Sequence, residues 1–288
     1  MKIATIDYND PNAPKELVRS LKETGFAVIK NHPIKSSLIK EVYQEWEKFF
    51  ANQEKHNYTF DPKTQTGYFP FKSENAKGSN LKDLKEFFHV YKQSDTPNSL
   101  SQKTWELRNQ LNSIGIDLLH WVQNNLPKEI TDQFSEPLPK MVEGSEDTLF
   151  RALHYPPLPA DAEEGAVRAR EHGDINLVTC LLTAAGPNGD YVVGAKTGLE
   201  VKDVHGNWHE VESDPNSIII NCGDFLEELT KGYLISTIHQ VKNPLGPASK
   251  VSRYSCPLFI HPRGEVLLTE NKTARQFLDE RLRELGLK

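Results

Sequence analysis

The chain has 288 residues, enough for one domain or two, and its 40 acidic residues outnumber 34 basic ones to give a formal charge of −6. That balance leaves no basic surplus for nucleic acid or an anionic membrane. No uncharged apolar run is long enough to span a bilayer, and the opening MKIATIDYND has no apolar signal core, so a cytoplasmic protein is expected.

From Ala13 to about Leu126 the apolar residues recur at helical spacing: Leu17 and Leu21, then Leu38, Val42, Trp46 and Phe49, then Leu107, Leu111, Ile114, Leu118 and Val122. Between the first two stretches, Phe26-Ala-Val-Ile-Lys-Asn follows Gly25 and reads as a strand. From about Thr148 to Ile260 the pattern changes to short β-branched runs between Pro, Gly, Asn and Asp: Leu177–Leu182, Gly198–Val201, Ile218–Asn221, Thr237–Val241 and Val251–Ile260. Many short strands of this kind suggest a sandwich or barrel. The tail returns to helix, with Ala274, Phe277, Leu278, Leu282 and Leu285 on one stripe and Gly286 as its stop. No solvated linker interrupts the chain, so residues 1–288 read as one domain: a helix-rich region (1–130), a β core (148–263) and a C-terminal helix (270–286). Cys180, Cys222 and Cys256 are too far apart for a CxxC pair and odd in number, and read as small buried apolar side chains.

One constellation carries chemistry. In Arg-Glu-His172-Gly-Asp174-Ile-Asn-Leu-Val-Thr, extended backbone would aim His172 and Asp174 to the same face. Downstream, Ile218-Ile-Ile-Asn221-Cys-Gly223-Asp224 leads to Ile235-Ser-Thr-Ile-His239, which offers a third ligand. Two imidazoles and one carboxylate suit iron(II) with positions left open, whereas structural zinc takes four protein ligands. Fourteen residues beyond His239, Arg253 and Ser255 stand at i and i+2, and a guanidinium is a planar fork that a carboxylate can accept in pairs.

Taken with Arg151-Ala-Leu-His-Tyr155-Pro156-Pro157, the Gly25-Phe26 strand ending in Asn31-His32-Pro33, and Asp83-Leu-Lys85-Glu86-Phe-Phe, the order HxD, NxGD, His, RxS resembles the iron and 2-oxoglutarate-dependent oxygenases of the isopenicillin N synthase family. The resemblance covers nearly the whole chain. It implies a jelly roll, the double-stranded β-helix, with flanking N-terminal helices and a C-terminal helix. It also implies iron(II) on His172, Asp174 and His239, and 2-oxoglutarate held by Arg253 and Ser255 with a hydroxyl from Tyr155. Dioxygen would then be used to oxidise a small molecule, by hydroxylation or desaturation. Leu153 departs from the asparagine that many plant members carry there, and Asp174-Ile-Asn-Leu-Val-Thr looks more like bacterial members.

Two rivals stand beside that reading: an oxidase of the same fold that needs no 2-oxo acid, and a small-molecule binding protein without turnover. Several residues are expected to be structural. Asn221, Gly223 and Asp224 read as turn and cap. His205 and His209 flank a hairpin turn at Gly206-Asn207, so their spacing need not bring them together. His120 and His154 read as packed or hydrogen-bonded in the core or at its edge, and Tyr68, Phe69, Phe87, Phe88 and Trp105 as core, with a substrate cleft as the alternative for some of them.

Overall fold

The structure, a computed structural model, describes residues 1–74, 81–92, 94–190 and 198–284. In chain order come β1 (Ala4–Asp7), α1 (Ala13–Thr24), β2 (Phe26–Lys30), α2 (Ser36–Ala51), β3 (Gly67–Phe69), β4 (Glu86–Val90), α3 (Lys103–Asn125) and the short helices α4 (Lys128–Thr131) and α5 (Leu138–Val142). Then follow β5 (Leu149–Tyr155), β6 (Ala169–His172), β7 (Val178–Leu182), β8 (Leu199–Lys202), β9 (Trp208–Glu210), β10 (Ile218–Cys222) and α6 (Asp224–Leu229). The chain closes with β11 (His239–Val241), β12 (Arg253–Ser255), β13 (Pro257–Ile260), the pair β14 (Leu267–Thr269) and β15 (Lys272–Thr273), and α7 (Ala274–Glu284).

Nine strands form one sheet in the order β1-β2-β10-β7-β13-β5-β4-β3, with β12 also paired to β5, and a second sheet runs β6-β11-β8-β9. The runs FAVI and IIIN explain this layering. Phe26, Val28 and Ile219 point into an apolar cluster with Leu199, Val201 and Val241 of the smaller sheet. Ala27, Ile29, Ile218 and Ile220 join the cluster containing Leu17, Leu111 and Leu118 of the helices. Strands buried on both faces read as continuous apolar runs rather than alternations. The result is the expected jelly roll with helices on one face, and among the described residues no helix is long and apolar enough to cross a membrane.

Several expected elements differ in detail. The region read as helices with one strand supplies four strands, β1 to β4, to the large sheet. The run Val251–Ile260 is two strands: β12 pairs with β5 and meets Ala185 in an isolated bridge, while β13 bridges β5 and β7. The expected strand from Thr237 begins only at His239. The last helix starts at Ala274, because Lys272–Thr273 pairs with β14, and Leu285 and Gly286 lie outside the described residues.

Two glycines are demanded by close approach. Gly25 ends α1 in the left-handed region at φ 71°, and a Cβ there would sit 2.2 Å from Thr237 Oγ1, next to the strand bearing His239. At Gly223 a Cβ would lie 2.2 Å from Asn176 Oδ1 and 2.3 Å from its backbone oxygen. The amide end of Asn176 could swing away but its backbone oxygen and carbon, within 2.9 Å, could not, so Gly223→Ala should lower stability by ~1–3 kcal/mol. The shift falls on the loop bearing Asp174, so iron affinity should drop with it. Denaturation midpoints and iron titration of the variant check both effects.

Candidate metal and cosubstrate site

His172 and His239 face each other as a registered cross-strand pair of β6 and β11, their ring centroids 4.4 Å apart. Asp174 lies just past the end of β6 rather than on it. It is brought in by the start of α6, where the Asp224 amide donates to the Asp174 carbonyl (2.8 Å) and the Phe225 amide to that of Asn176 (3.1 Å). Asp174 Oδ1 stands 3.9 Å from His172 Nε2 and 3.8 Å from His239 Nε2, and the three ligand atoms lie within 4.8 Å of one another. Among the described residues this is the one cluster able to hold a metal ion.

The far side of each group is already occupied. His172 Nδ1 donates to the Arg170 carbonyl (2.7 Å) and His239 Nδ1 to that of Thr237 (3.0 Å), which leaves both Nε2 lone pairs toward Asp174. Asp174 Oδ2 accepts from Thr179 Oγ1 (2.5 Å) and Asn221 Nδ2 (2.8 Å), and Thr179 accepts in turn from Asn176 Nδ2 (2.8 Å). Burial works to raise the Asp174 carboxyl, but His239, His172 and these two donors hold it below the usual carboxylate value. Burial, followed by His239, pulls His172 down to about 4, so its imidazole is neutral at pH 7. A neutral His172 and an ionised Asp174 are protonation states that ligation needs. The donor set therefore fits a ferrous ion.

Asn221 is thus not the turn residue expected. It is buried on β10 and orients the carboxylate. Gly223 and Asp224 do occupy the cap and first turn of α6. His209 bonds Asp203 (2.7 Å) in the β8–β9 hairpin, away from any metal cluster, and His120 is exposed on α3 rather than packed.

The cosubstrate candidates meet on the neighbouring pair β5–β12, with Arg253 opposite Tyr155 and Ser255 opposite Leu153. The Arg253 guanidinium lies 5.5 Å from the Tyr155 ring centroid, and its Nη1 is buried with no hydrogen-bond partner. Arg168, which the spacing of motifs does not single out, stands 5.8 Å from the same ring, 4% exposed and with its Nε likewise unpartnered. Burial and the neighbouring Arg253 lower Arg168 to about 10. Two guanidiniums beside an apolar interior, with donors unspent, form a site for an anion. Behind them Ser252 Oγ bonds His154 Nε2 (3.0 Å), and His154 Nδ1 bonds Glu86 Oε1 (2.7 Å), tying the Arg253 strand to β5 and β4.

A cavity of about 520 Å³ reaches His172 and Asp174 from the other side, walled by Phe60, Phe69, Phe259 and Arg151 among others. Phe69 is therefore a wall residue, while Tyr68, Phe87 and Phe88 are core as expected. Burial also lowers His32, His89 and His261, each of which is ordinarily at 6.5. The unfolded chain binds protons at these positions more readily, so their contribution to stability is complete above pH 6.5 and falls away as pH drops through it. Urea midpoints should accordingly decline as the pH is lowered from about 7.5 to about 5.5. A flat profile would show that these rings protonate freely in the native state.

The fold and the His172–Asp174–His239 donor set point to an oxygenase that uses iron(II), 2-oxoglutarate and dioxygen, and comparison with known proteins agrees. Residues 3–113 match the family model described as non-haem dioxygenase in morphine synthesis N-terminal, and residues 146–262 match the 2OG-Fe(II) oxygenase superfamily. A crystal structure of a presumed oxygenase from Shewanella oneidensis is 43% identical over the whole of both chains, with a TM-score of 0.87. A 2OG-Fe(II) oxygenase family protein from Caulobacter crescentus is 30% identical over 98% of each, with a TM-score of 0.76. The 2-oxoglutarate-dependent dioxygenase citB of Monascus ruber is 28% identical over 87% of this chain and 80% of its own length. The chain belongs to the 2-oxoglutarate and iron(II)-dependent oxygenase family and is a dioxygenase of that kind.

Proposed function

We propose that His172, Asp174 and His239 hold the iron, that Arg253, Ser255 and Tyr155 hold 2-oxoglutarate with Arg168 beside them, and that the enzyme hydroxylates or desaturates a small molecule. The observation that carries the reading is the convergence of two Nε2 atoms and one carboxylate oxygen whose opposite atoms are already hydrogen-bonded. When bound, iron and 2-oxoglutarate supply the oxidising chemistry, in which the 2-oxo acid is decarboxylated to succinate as the substrate is oxidised.

The chain's own part is binding, orientation and exclusion of water. Thr179 and Asn221 keep one oxygen of Asp174 turned outward, and the backbone carbonyls of Arg170 and Thr237 keep the two rings in the ligating tautomer. The Arg253 fork receives a carboxylate in a site bounded by Tyr155 and Leu153, where low dielectric strengthens the ion pair. The aromatic wall of the cavity shields the reacting positions from bulk water.

Anaerobic titration of the iron-loaded protein with 2-oxoglutarate tests this reading. The expected result is a saturable charge-transfer band in the visible, at one equivalent. No band would overturn the cosubstrate assignment. Succinate formed in proportion to substrate consumed would separate this enzyme from an oxidase of the same fold.

A further inference from the structure

Arg151 stands on β5 four residues before Tyr155, so the two share a strand face about 13 Å apart at ~3.3 Å per residue. Tyr155 serves the Arg253 end, whereas Arg151 lines the cavity that reaches His172 and Asp174. The guanidinium is held between aromatic rings, 4.6 Å from the Phe87 centroid and 5.3 Å from that of Phe259. Its Nε donates to His89 Nε2 (2.9 Å), and His89 Nδ1 donates to the Gln65 carbonyl (3.0 Å). Burial keeps that ring neutral, so it orients Arg151 without cancelling its charge. Among the described residues neither terminal nitrogen of Arg151 has a hydrogen-bond acceptor.

The neighbouring carboxylates Glu74, Asp83 and Asp147 are ion-paired with other cations. Lys85 takes Glu74 (2.8 Å) and Asp83 (2.9 Å), and Arg275 takes Asp147 (2.6 Å). Glu74 feels both Lys85 and Arg151, yet Arg170, whose Nε is buried and unpartnered, adds a third cation to that group. Lys85, Arg151 and Arg170 thus stand against Glu74 and Asp83 on this stretch of the wall, while the lining as a whole balances five basic with five acidic side chains. The rest of the aromatic wall is apolar: Phe60 and Phe69 lie 4.2 Å apart and tilted by 39°, Phe69 stacks on Phe87 at 4.3 Å, and Leu278 and Leu282 of α7 also line the cavity.

We propose that Arg151 is the substrate anchor and that the primary substrate is a small carboxylic acid with a flat apolar body. Its carboxylate takes the two free nitrogens of the fork, and its body lies on the Phe60–Phe69 wall with a carbon directed at the metal side. This rests on the oxygenase reading above and narrows it to a substrate class.

The test uses 3-phenylpropionate and 3-phenylpropionamide, alike in shape and different in charge. Each is titrated calorimetrically and anaerobically into the full chain with iron(II) and saturating 2-oxoglutarate, so that Arg253 is already engaged. The acid should bind about tenfold or more tightly than the amide, and Arg151→Gln should abolish that preference. Arg151→Lys, the fallback should the glutamine variant fail to fold, should weaken the acid severalfold and leave the amide unchanged. Equal binding of acid and amide, no heat from either at millimolar concentration, or a preference that survives in both variants overturns the proposal. The chelate band recorded on the same samples separates the two failures: its absence condemns the cosubstrate reading, whereas its presence without acid preference condemns only the substrate class.

Discussion

Asp174→Ala should abolish iron binding at stoichiometric metal and lower succinate formation on the order of a thousandfold or more. Changes to the outer partners of metal ligands cost about ten- to hundredfold, and Asp174 supplies the charge itself. It is the only anionic member of the cluster, so its removal leaves two imidazoles and no negative charge, a set that binds a ferrous ion weakly. The same change strips Thr179 and Asn221 of their buried acceptor, at roughly 1–3 kcal/mol for each donor left unpaired. Asp174→Asn is the needed companion, since it retains a carbonyl acceptor while losing the charge. Both should remain folded by circular dichroism, and His172→Ala should behave like them. Wild-type turnover in either Asp174 variant would mean that the iron sits elsewhere.

How far the sequence reveals this site depends on whether a residue acts through spacing or through contacts made late in folding. His172, Asp174, His239, Arg253 and Ser255 stand in motifs with characteristic separations, and the fold brings the first three within reach of one ion. Arg168 has no such signature. Its significance comes from burial beside Tyr155 and from its nearness to Arg253, which is a consequence of how β6 packs against the β5–β12 pair. Asn221 was legible only as part of a turn, because nothing local says that β10 will face the Asp174 loop.

The strand β4 was hidden for a related reason. In Glu86-Phe-Phe-His-Val every residue is buried, and a glutamate and a histidine inside an apolar run argue against a strand until their partners are known. Lys55, Tyr68 and His154 satisfy Glu86, while Arg151 and Gln65 satisfy His89. Those partners come from three separate stretches of chain, so the exception to the hydrophobic pattern exists only once the sheet has formed. The edge strand β1 is similar in kind: four residues gain strand geometry solely by parallel pairing with β2.

Arg253→Leu should raise the 2-oxoglutarate concentration needed for half-maximal rate by on the order of a hundredfold, while iron binding stays at the wild-type level. Truncating one partner of a buried, hydrogen-bonded charge pair costs roughly 2–5 kcal/mol, about thirty- to several-thousandfold in affinity, and Arg168 remains to recover part of the loss. Arg168→Met should act in the same direction but less strongly, because one of its donors is already engaged by the Val251 carbonyl at 3.1 Å. In the iron-free protein either change relieves two cations of their mutual repulsion, so neither should lower the denaturation midpoint by much. That combination, weakened cosubstrate with preserved fold and preserved iron, distinguishes an anion site from a structural pair of arginines. If Arg253→Leu instead unfolded the chain and left the chelate band of its folded fraction at wild-type 2-oxoglutarate concentrations, the guanidinium would be a packing element, and the carboxylate would have to be held elsewhere.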